Sequence, residues 1–542
     1  TYKIIMLAFF SLLFSFNITF QLKGEEILTS LELKKGDIPL NPSKVELKKD
    51  PNGNWRLYVN GDVFPICGAG GASKAGLLEQ LKIAGGNCVR TWGIGTLEDK
   101  VSDGERFIDR AWRLGIMVVP GIWVQHERHG FNYSDSSSIE KQRKEVIEAV
   151  KKYKNHPAVL MWGLGNEMEG VTSKDASEIV LKEVNHLAKL IKAEDPFHPV
   201  MTVIAFNPHK ATQVKKLCPD IDVLGVNTYG AAAGAGTALK NVGWDKPFAV
   251  TEFGVKGFWE VQTTEWGAPY EQTSQEKAAN YYSAHKLVFE ENDGKELCLG
   301  TFAFLWGWKQ ERTSTWFGMF LPTLEKLPQV DAMTKAWTGN WPKNRCPVIK
   351  GLSSQAYGKV VKPNINITAT INAIDPDGDK LSYNWSLLSE ATDLRVGGEA
   401  ETAPPVHNDL IIENNKPECT FKTPSTEGNY RLFIVISDGK GSAATANFPF
   451  KVKSSAMKIL QPTCDLVNIK LAFYYMQTIH LKGETHKRFW ISEYSQIPVP
   501  LAPLNEQKRI LDRLEQLLTD LDKGIEYLET TPPSTVELVP VK

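Results

Sequence analysis

Seven cysteines in 542 residues, scattered singly and with no CxxC pair, exclude a disulfide-framed scaffold and a zinc ribbon. Charge of one sign is not in surplus either. Lys and Arg number 62 against 63 Asp and Glu, a net charge of −1, so the chain as a whole carries no footprint for nucleic acid or anionic lipid. No apolar run reaches the roughly 20 residues of a membrane-spanning helix. The run Ile4 to Phe16 behind Lys3 has instead the form of a secretory leader, so residues 1–20 are expected to be a signal peptide and the protein secreted, periplasmic or cell-surface; an uncleaved anchor is the other reading. No GxGxxG follows the first strand candidate, which argues against a dinucleotide-binding sheet.

What is present is ordinary globular composition, 42% hydrophobic and 23% charged, with tryptophan in one place. Of 15 tryptophans, 12 lie between Trp92 and Trp341, so that stretch is where the chemistry is sought. After an alternating segment around Pro51-Asn52-Gly53-Asn54, expected to be a hairpin within a leading segment 21–60, eight near-continuous apolar runs follow: Val63 to Gly68, Asn87 to Gly93, Ile116 to Val124, Ala158 to Glu167, Pro199 to Ala205, Ile221 to Tyr229, Pro247 to Gly254 and Cys298 to Trp308. Between them lie segments of helical spacing, such as Ile179-Val180-Val184-Leu187-Ile191. Strands apolar on both faces and covered by helices predict an α/β fold, a (β/α)₈ TIM barrel over 61–345. Residues 346–453 change to short alternating runs between Thr, Asn, Ser and Gly turns, an Ig-like β-sandwich. Within it, Asp375-Pro376-Asp377-Gly378-Asp379 lacks the Gly and Glu spacing of a calcium-binding EF loop and is expected to be a turn. Residues 454–542 form a tail in which Asn505 caps a helix with the apolar stripe Ile510, Leu514, Leu517, Leu521, Ile525 and Leu528, a face suited to self-association.

Barrel active sites lie at the carboxyl ends of the strands. The polar and aromatic residues there are Arg90 and Trp92 on strand two, Trp123 and His126 after strand three, Asn166 and Glu167 on strand four, Asn227 and Tyr229 on strand six, Glu252 on strand seven, and Trp306 and Trp308 on strand eight. Two carboxylates flanked by indoles suit cleavage of an acetal, which needs acid assistance to its leaving oxygen and an anion beside an oxocarbenium-like carbon. A separation of about 5 Å is expected of a pair that acts with retention. His126 and His129 are spaced like metal ligands without a third, so substrate contact or plain loop is the expectation, and nothing in the sequence requires a metal or cofactor. Trp162, of opposite strand parity to Glu167, and the helical Trp112 and Trp337 are expected in the core.

The blocks Asn155 to Glu167 (NHPAVLMWGLGNE), Asp222 to Tyr229 (DVLGVNTY) and Lys246 to Gly254 (KPFAVTEFG) closely resemble the barrel domain of family 2 glycoside hydrolases, and clan A generally. That resemblance implies a retaining β-glycosidase acting on an oligo- or polysaccharide, with Glu167 as acid/base and Glu252 as nucleophile. It further implies Asn166 on the sugar 2-hydroxyl, Arg90 and Tyr229 steadying Glu252, and Trp306 flooring the first subsite. Family 2 enzymes usually carry sandwich domains before the barrel, whereas about 40 residues precede it here. The sandwich resembles PKD-like or cadherin-like modules in Asp375 to Trp385. The tail, in Ile497 to Ile510 and the striped helix, resembles the end of the specificity subunit of type I restriction-modification systems, which implies DNA as a partner if the tail acts. Two alternatives therefore stand beside the glycosidase: a DNA-specificity protein, and a barrel that binds glycans without cleaving them.

Overall fold

The computed structural model describes residues 33–168, 177–291, 293–395, 398–454, 468–478 and 502–530. The expected signal peptide falls outside them. The chain divides into two compact units, Thr1–Ser454 and Ser455–Lys542.

The first unit opens with the expected hairpin, β1 (Val45–Lys49) against β2 (Trp55–Val59), followed by the short β3 (Asp62–Val63). Asp50 sets its turn, Oδ1 accepting the backbone N–H groups of Asn52 (2.9 Å) and Asn54 (3.0 Å). Eight strand–helix units follow: β4 (Ile66–Gly71) and α1 (Leu77–Ile83); β5 (Cys88–Arg90) and α2 (Phe107–Arg113); β6 (Met117–Val119) with β7 (Gly121–Ile122) and α3 (Ser136–Tyr153); β8 (Trp162–Leu164) and α4 (Glu178–Glu194); β9 (Val200–Ala205) and α5 (Pro208–Leu217); β10 (Val223–Asn227) and α6 (Ala235–Asn241); β11 (Phe248–Phe253) and α7 (Ser274–Lys286); β12 (Cys298–Trp306) and α8 (Pro328–Thr338). The first strand starts three residues later than its apolar run, because Val63 pairs with Tyr58 in the hairpin.

The sheet order β6-β5-β4-β12-β11-β10-β9-β8-β7 begins and ends on two halves of one stave. Pro120, with no N–H to donate, splits them, while its carbonyl still accepts Gly163 N–H at 2.9 Å. The barrel is therefore closed, with eight parallel staves. Its amino end is filled by a cluster in which Val45 and Leu57 of the hairpin pack with Ile66, Met201, Val223 and Leu299. Trp162 is in the core as expected, its Nε1 donating to Asp195 at 2.8 Å.

The sandwich forms two sheets, β13 (Val348–Ser354), β15 (Asn366–Ile374) and β17 (Glu418–Lys422), and β14 (Val360–Val361), β19 (Ala443–Val452), β18 (Gly428–Ser437) and β16 (Ser382–Ser389), over a core that includes Trp385, Leu432, Ile434 and Phe448. The turn at Asp375 forms: Oδ1 accepts the N–H groups of Asp377 and Asp379 at 2.9 Å each. Barrel and sandwich are joined by buried charge. Arg431 of the sandwich holds Glu390 through Nη2 and Nε (2.7 and 3.1 Å) and donates across to the barrel at Pro269 O (2.8 Å); Glu271 of the barrel pairs with Lys277 (2.5 Å) and accepts from Asn447 of the sandwich (2.8 Å). All six described cysteines are unpaired.

In the second unit, α9 (Ile469–Gln477) and α10 (Leu504–Thr530) are described. The long helix starts one residue before the expected cap: the Pro503 carbonyl accepts Glu506 and Gln507 N–H groups, which puts Asn505 inside the first turn. Leu511 is buried, and Ile510, Leu517 and Leu521 of the stripe are exposed. No helix among the described residues is long and apolar enough to cross a membrane.

Candidate active site

Glu252 lies at the end of β11, in register with Asn227 of β10. Its Oε1 accepts from Arg90 Nη1 (3.1 Å) and Trp92 Nε1 (3.0 Å), and its Oε2 from the Tyr229 hydroxyl (2.8 Å). Three donors thus converge on one buried carboxylate. Tyr229 stays protonated to donate, because burial, with Glu252 beside it, holds the phenol well above its ordinary range. Arg90, only 2% exposed, also donates to Asn166 Oδ1 at 2.6 Å and to the Thr251 carbonyl at 3.3 Å.

Glu167 follows β8 on a sharp turn. Gly165 has φ +70°, and a Cβ there would meet Met168 Cγ at 2.6 Å; Glu167 itself has φ +54°, a conformation that side chains other than glycine seldom adopt. The turn is pinned to the barrel by Glu167 N–H donating to Val203 O at 2.8 Å. Asn227 Nδ2 donates to Glu167 Oε1 at 2.9 Å and to Asn166 Oδ1 at 3.2 Å, so both glutamates belong to one hydrogen-bonded cluster. Burial, reinforced by the negative charge of Glu252, pushes Glu167 up to about 7. One carboxyl is thus raised towards neutrality while its neighbour is gripped by three donors, two different environments of the kind that acid–nucleophile chemistry needs.

The aromatic surround differs from expectation at strand eight. Trp306 does not floor a subsite: it is fully buried, its Nε1 donates to Leu77 O at 3.0 Å, and its ring packs on Phe320 and Trp337. The parallel ladder slips between Ala303 and Trp306, which turns the indole out to the helix layer. Phe304 takes the place instead, edge-on to Trp92 at 5.7 Å and to Tyr229 at 6.0 Å, with Lys309 Nζ 5.9 Å from its ring centre. Lys309 pairs with Glu311 at 2.6 Å, and burial raises the Glu311 carboxyl against that pairing. Trp308 is half-buried against the barrel core. Trp123 is 38% exposed, its ring 5.0 Å from His126 and stacked on His129 at 6.4 Å. His126 lies beneath, 2% exposed, and burial lowers it to about 4, so it is neutral at pH 7.

Sequence reasoning missed Trp259. It is 58% exposed in the loop after β11 and stands edge-on to Tyr229 at 5.6 Å, an indole beside a hydrogen-bond donor to Glu252. Only its position in a loop at the barrel mouth signals it, and loops carry no periodicity.

These features have relatives. Residues 108–294 match the model of the glycosyl hydrolases family 2 TIM barrel domain. The family 2 match holds Glu167, Asn227, Tyr229 and Glu252, while Arg90 and Trp92 precede it. A curated relative, β-mannosidase A of Aspergillus niger, is 25% identical over 29% of this chain and 18% of its own length. Among solved structures, a GH2 β-galacturonidase from Eisenbergiella tayi aligns at 16% identity, covering 55% of this chain and 54% of that one, with a TM-score of 0.41. Bacteroides uniformis β-glucuronidase aligns at 14% identity over 76% and 48%, with a TM-score of 0.40. The other end of the chain differs from the family 2-like barrel: residues 406–529 match the type I restriction modification DNA specificity domain. The EcoR124I/EcoR124II specificity subunit of Escherichia coli is 36% identical over 26% of this chain and 41% of its own length. The chain thus spans less than half the length of either curated relative. Of the residues in the specificity-domain match, 418–422, 428–437 and 443–452 are strands of the sandwich.

Proposed function

We propose that this chain is a retaining β-glycosidase that hydrolyses a β-linked glycan by double displacement. One observation carries the reading: within a single hydrogen-bonded cluster, Glu252 accepts from Arg90, Trp92 and Tyr229, and Glu167 is raised to about 7. In the first step a Glu252 oxygen bonds to the anomeric carbon as the glycosidic C–O bond breaks, and the Glu167 proton passes to the leaving oxygen. The ester so formed has no charge on Glu252. Glu167 then loses its like-charged neighbour, becomes the stronger acid and can take a proton from the incoming water as carboxylate. Trp259 and Trp123 offer exposed indole faces to sugar rings.

Incubation with activated 2-deoxy-2-fluoro-β-glycosides of glucose, galactose, mannose and glucuronic acid should label the protein once, and peptide mass spectrometry should place the label on Glu252. Glu252→Gln should remove both labelling and turnover. A label elsewhere, or an unlabelled chain with undiminished turnover, would refute the assignment.

A second reading is favoured by the match at residues 406–529: a DNA-specificity protein defined by its C-terminal stretch. Truncation after Lys453 separates the two. Sugar release that survives truncation supports the glycosidase, whereas sequence-dependent binding of duplex DNA that is lost with the tail supports the other.

A further inference from the structure

The geometry points to a second sugar subsite built jointly by barrel and sandwich, with Glu399 of the sandwich as its specificity-determining residue; this rests on the glycosidase reading. Residues 398–401, between β16 and β17, reach the mouth of the barrel and make three contacts there. The Gly398 carbonyl accepts from Lys309 Nζ at 2.9 Å, Glu399 Oε1 meets His129 Nε2 at 2.8 Å, and Glu401 Oε2 accepts the Arg312 N–H at 2.7 Å. Lys309 and Arg312 follow the eighth stave and His129 follows the third; the first and second staves stand between them on the barrel wall. Gly398 and Glu399 are adjacent in sequence, with Cα atoms about 3.8 Å apart. One dipeptide of the sandwich therefore holds both loops together on the rim over the first two staves.

Each side of that dipeptide leads to a place where sugar is handled. Through Lys309 it reaches the Phe304 ring, and Phe304 packs on Trp92, a donor to the nucleophile. Through His129 it reaches Trp123, whose indole is stacked on that imidazole and exposed to solvent. Glu399 stands between the two. An exposed indole flanked by a carboxylate and an imidazole matches a pyranose, whose C–H face packs on the ring and whose hydroxyls hydrogen-bond to the polar groups. The pair is not needed to join the domains. Its side chains are 33% and 44% exposed, where a polar contact contributes little, and the buried bonds from Arg431 to the Pro269 carbonyl and from Asn447 to Glu271 already form the joint. The ligand of this subsite is the sugar next to the one held by Glu252, so it is occupied by oligosaccharides and left empty by a monoglycoside.

The test compares kcat/KM of the full chain with Glu399→Ala, Glu399→Gln and His129→Ala. Substrates are p-nitrophenyl β-D-glucoside, galactoside, mannoside and glucuronide, and β-1,3- and β-1,4-linked tetrasaccharides of the same sugars. Glu399→Ala and His129→Ala should each lower tetrasaccharide turnover about tenfold, the loss of one good hydrogen bond, and leave the monoglycoside within about twofold. Glu399→Gln, which keeps an acceptor, should recover part of the loss. If Glu399→Ala does not fold, His129→Ala probes the same pair from the barrel. An active parent whose variants lose both substrates equally, or neither, overturns the subsite and leaves the glycosidase standing. A parent inert on every substrate overturns the glycosidase reading itself.

Discussion

At the scale of single residues, the protonation of Glu167 sets the pH behaviour. Its carboxyl is raised from an ordinary 4.5 to about 7 by burial and by Glu252, so the acid that the proposed first step requires is lost as pH rises through about 7. The alkaline limb of kcat/KM should fall there. Glu252→Gln removes the second of those causes, and a ¹³C-carboxyl NMR titration of that variant should find Glu167 at a lower pKa; an unmoved or higher value would contradict the electrostatic account. The sign for stability follows from the same shift. The folded state binds this proton more tightly than the unfolded state, so the associated stability is complete below about 4.5 and is lost as pH rises towards 7. Glu167→Gln should therefore melt higher than the parent at pH 8, with the gap closing towards pH 4. Both glutamates were legible in the sequence because each stands at the end of an apolar run whose strand character is unambiguous. Trp306 was misplaced for a local reason: period-two alternation fails where the ladder slips after Ala303, and nothing in the residues around it marks the slip.

At the scale of elements, the turn Gly165-Asn166-Glu167 ends the fourth stave and sets the position of Glu167, the acid/base of the proposed mechanism. Alanine at Gly165 would have to adopt φ near +70° and force its Cβ against Met168. Gly165→Ala should cost about 1–2 kcal/mol of stability through that strain and lower kcat by roughly 100-fold by displacing Glu167, while a neighbouring surface change such as Lys182→Ala leaves both untouched. Stability by denaturant titration and kcat on an aryl glycoside read the two effects separately. The eight staves were legible because parallel strands covered by helices on the outside lack the polar alternation of an exposed sheet. Trp259 was not, nor was the approach of Glu399 to His129. Loop conformation is decided by contacts between residues as far apart as 270 positions, which no local pattern records.

At the scale of the whole molecule, barrel and sandwich depend on Arg431. Its guanidinium neutralises Glu390, donates to Asn447 and reaches across to Pro269 of the barrel, all with almost no exposure to water. Removing one partner of a buried pair leaves an uncompensated charge, so Arg431→Ala should destabilise the sandwich by about 3–5 kcal/mol. The fluorescence of Trp385, fully buried in the sandwich core, should report it as a lower denaturant midpoint; an unchanged midpoint would show that the joint is held by other contacts.

The hairpin of residues 45–59 has a practical consequence for anyone who wishes to move the barrel into another chain. Its ties and that of Ser43 just before it run to three separate places beneath the staves, Ser43 to Pro157, Val45 to Phe197 and Trp55 to Asp245. It is a stopper rather than a leader, and an excised barrel beginning at residue 61 would have Ile66, Met201 and Val223 wetted from below. A transplantable unit begins no later than Ser43.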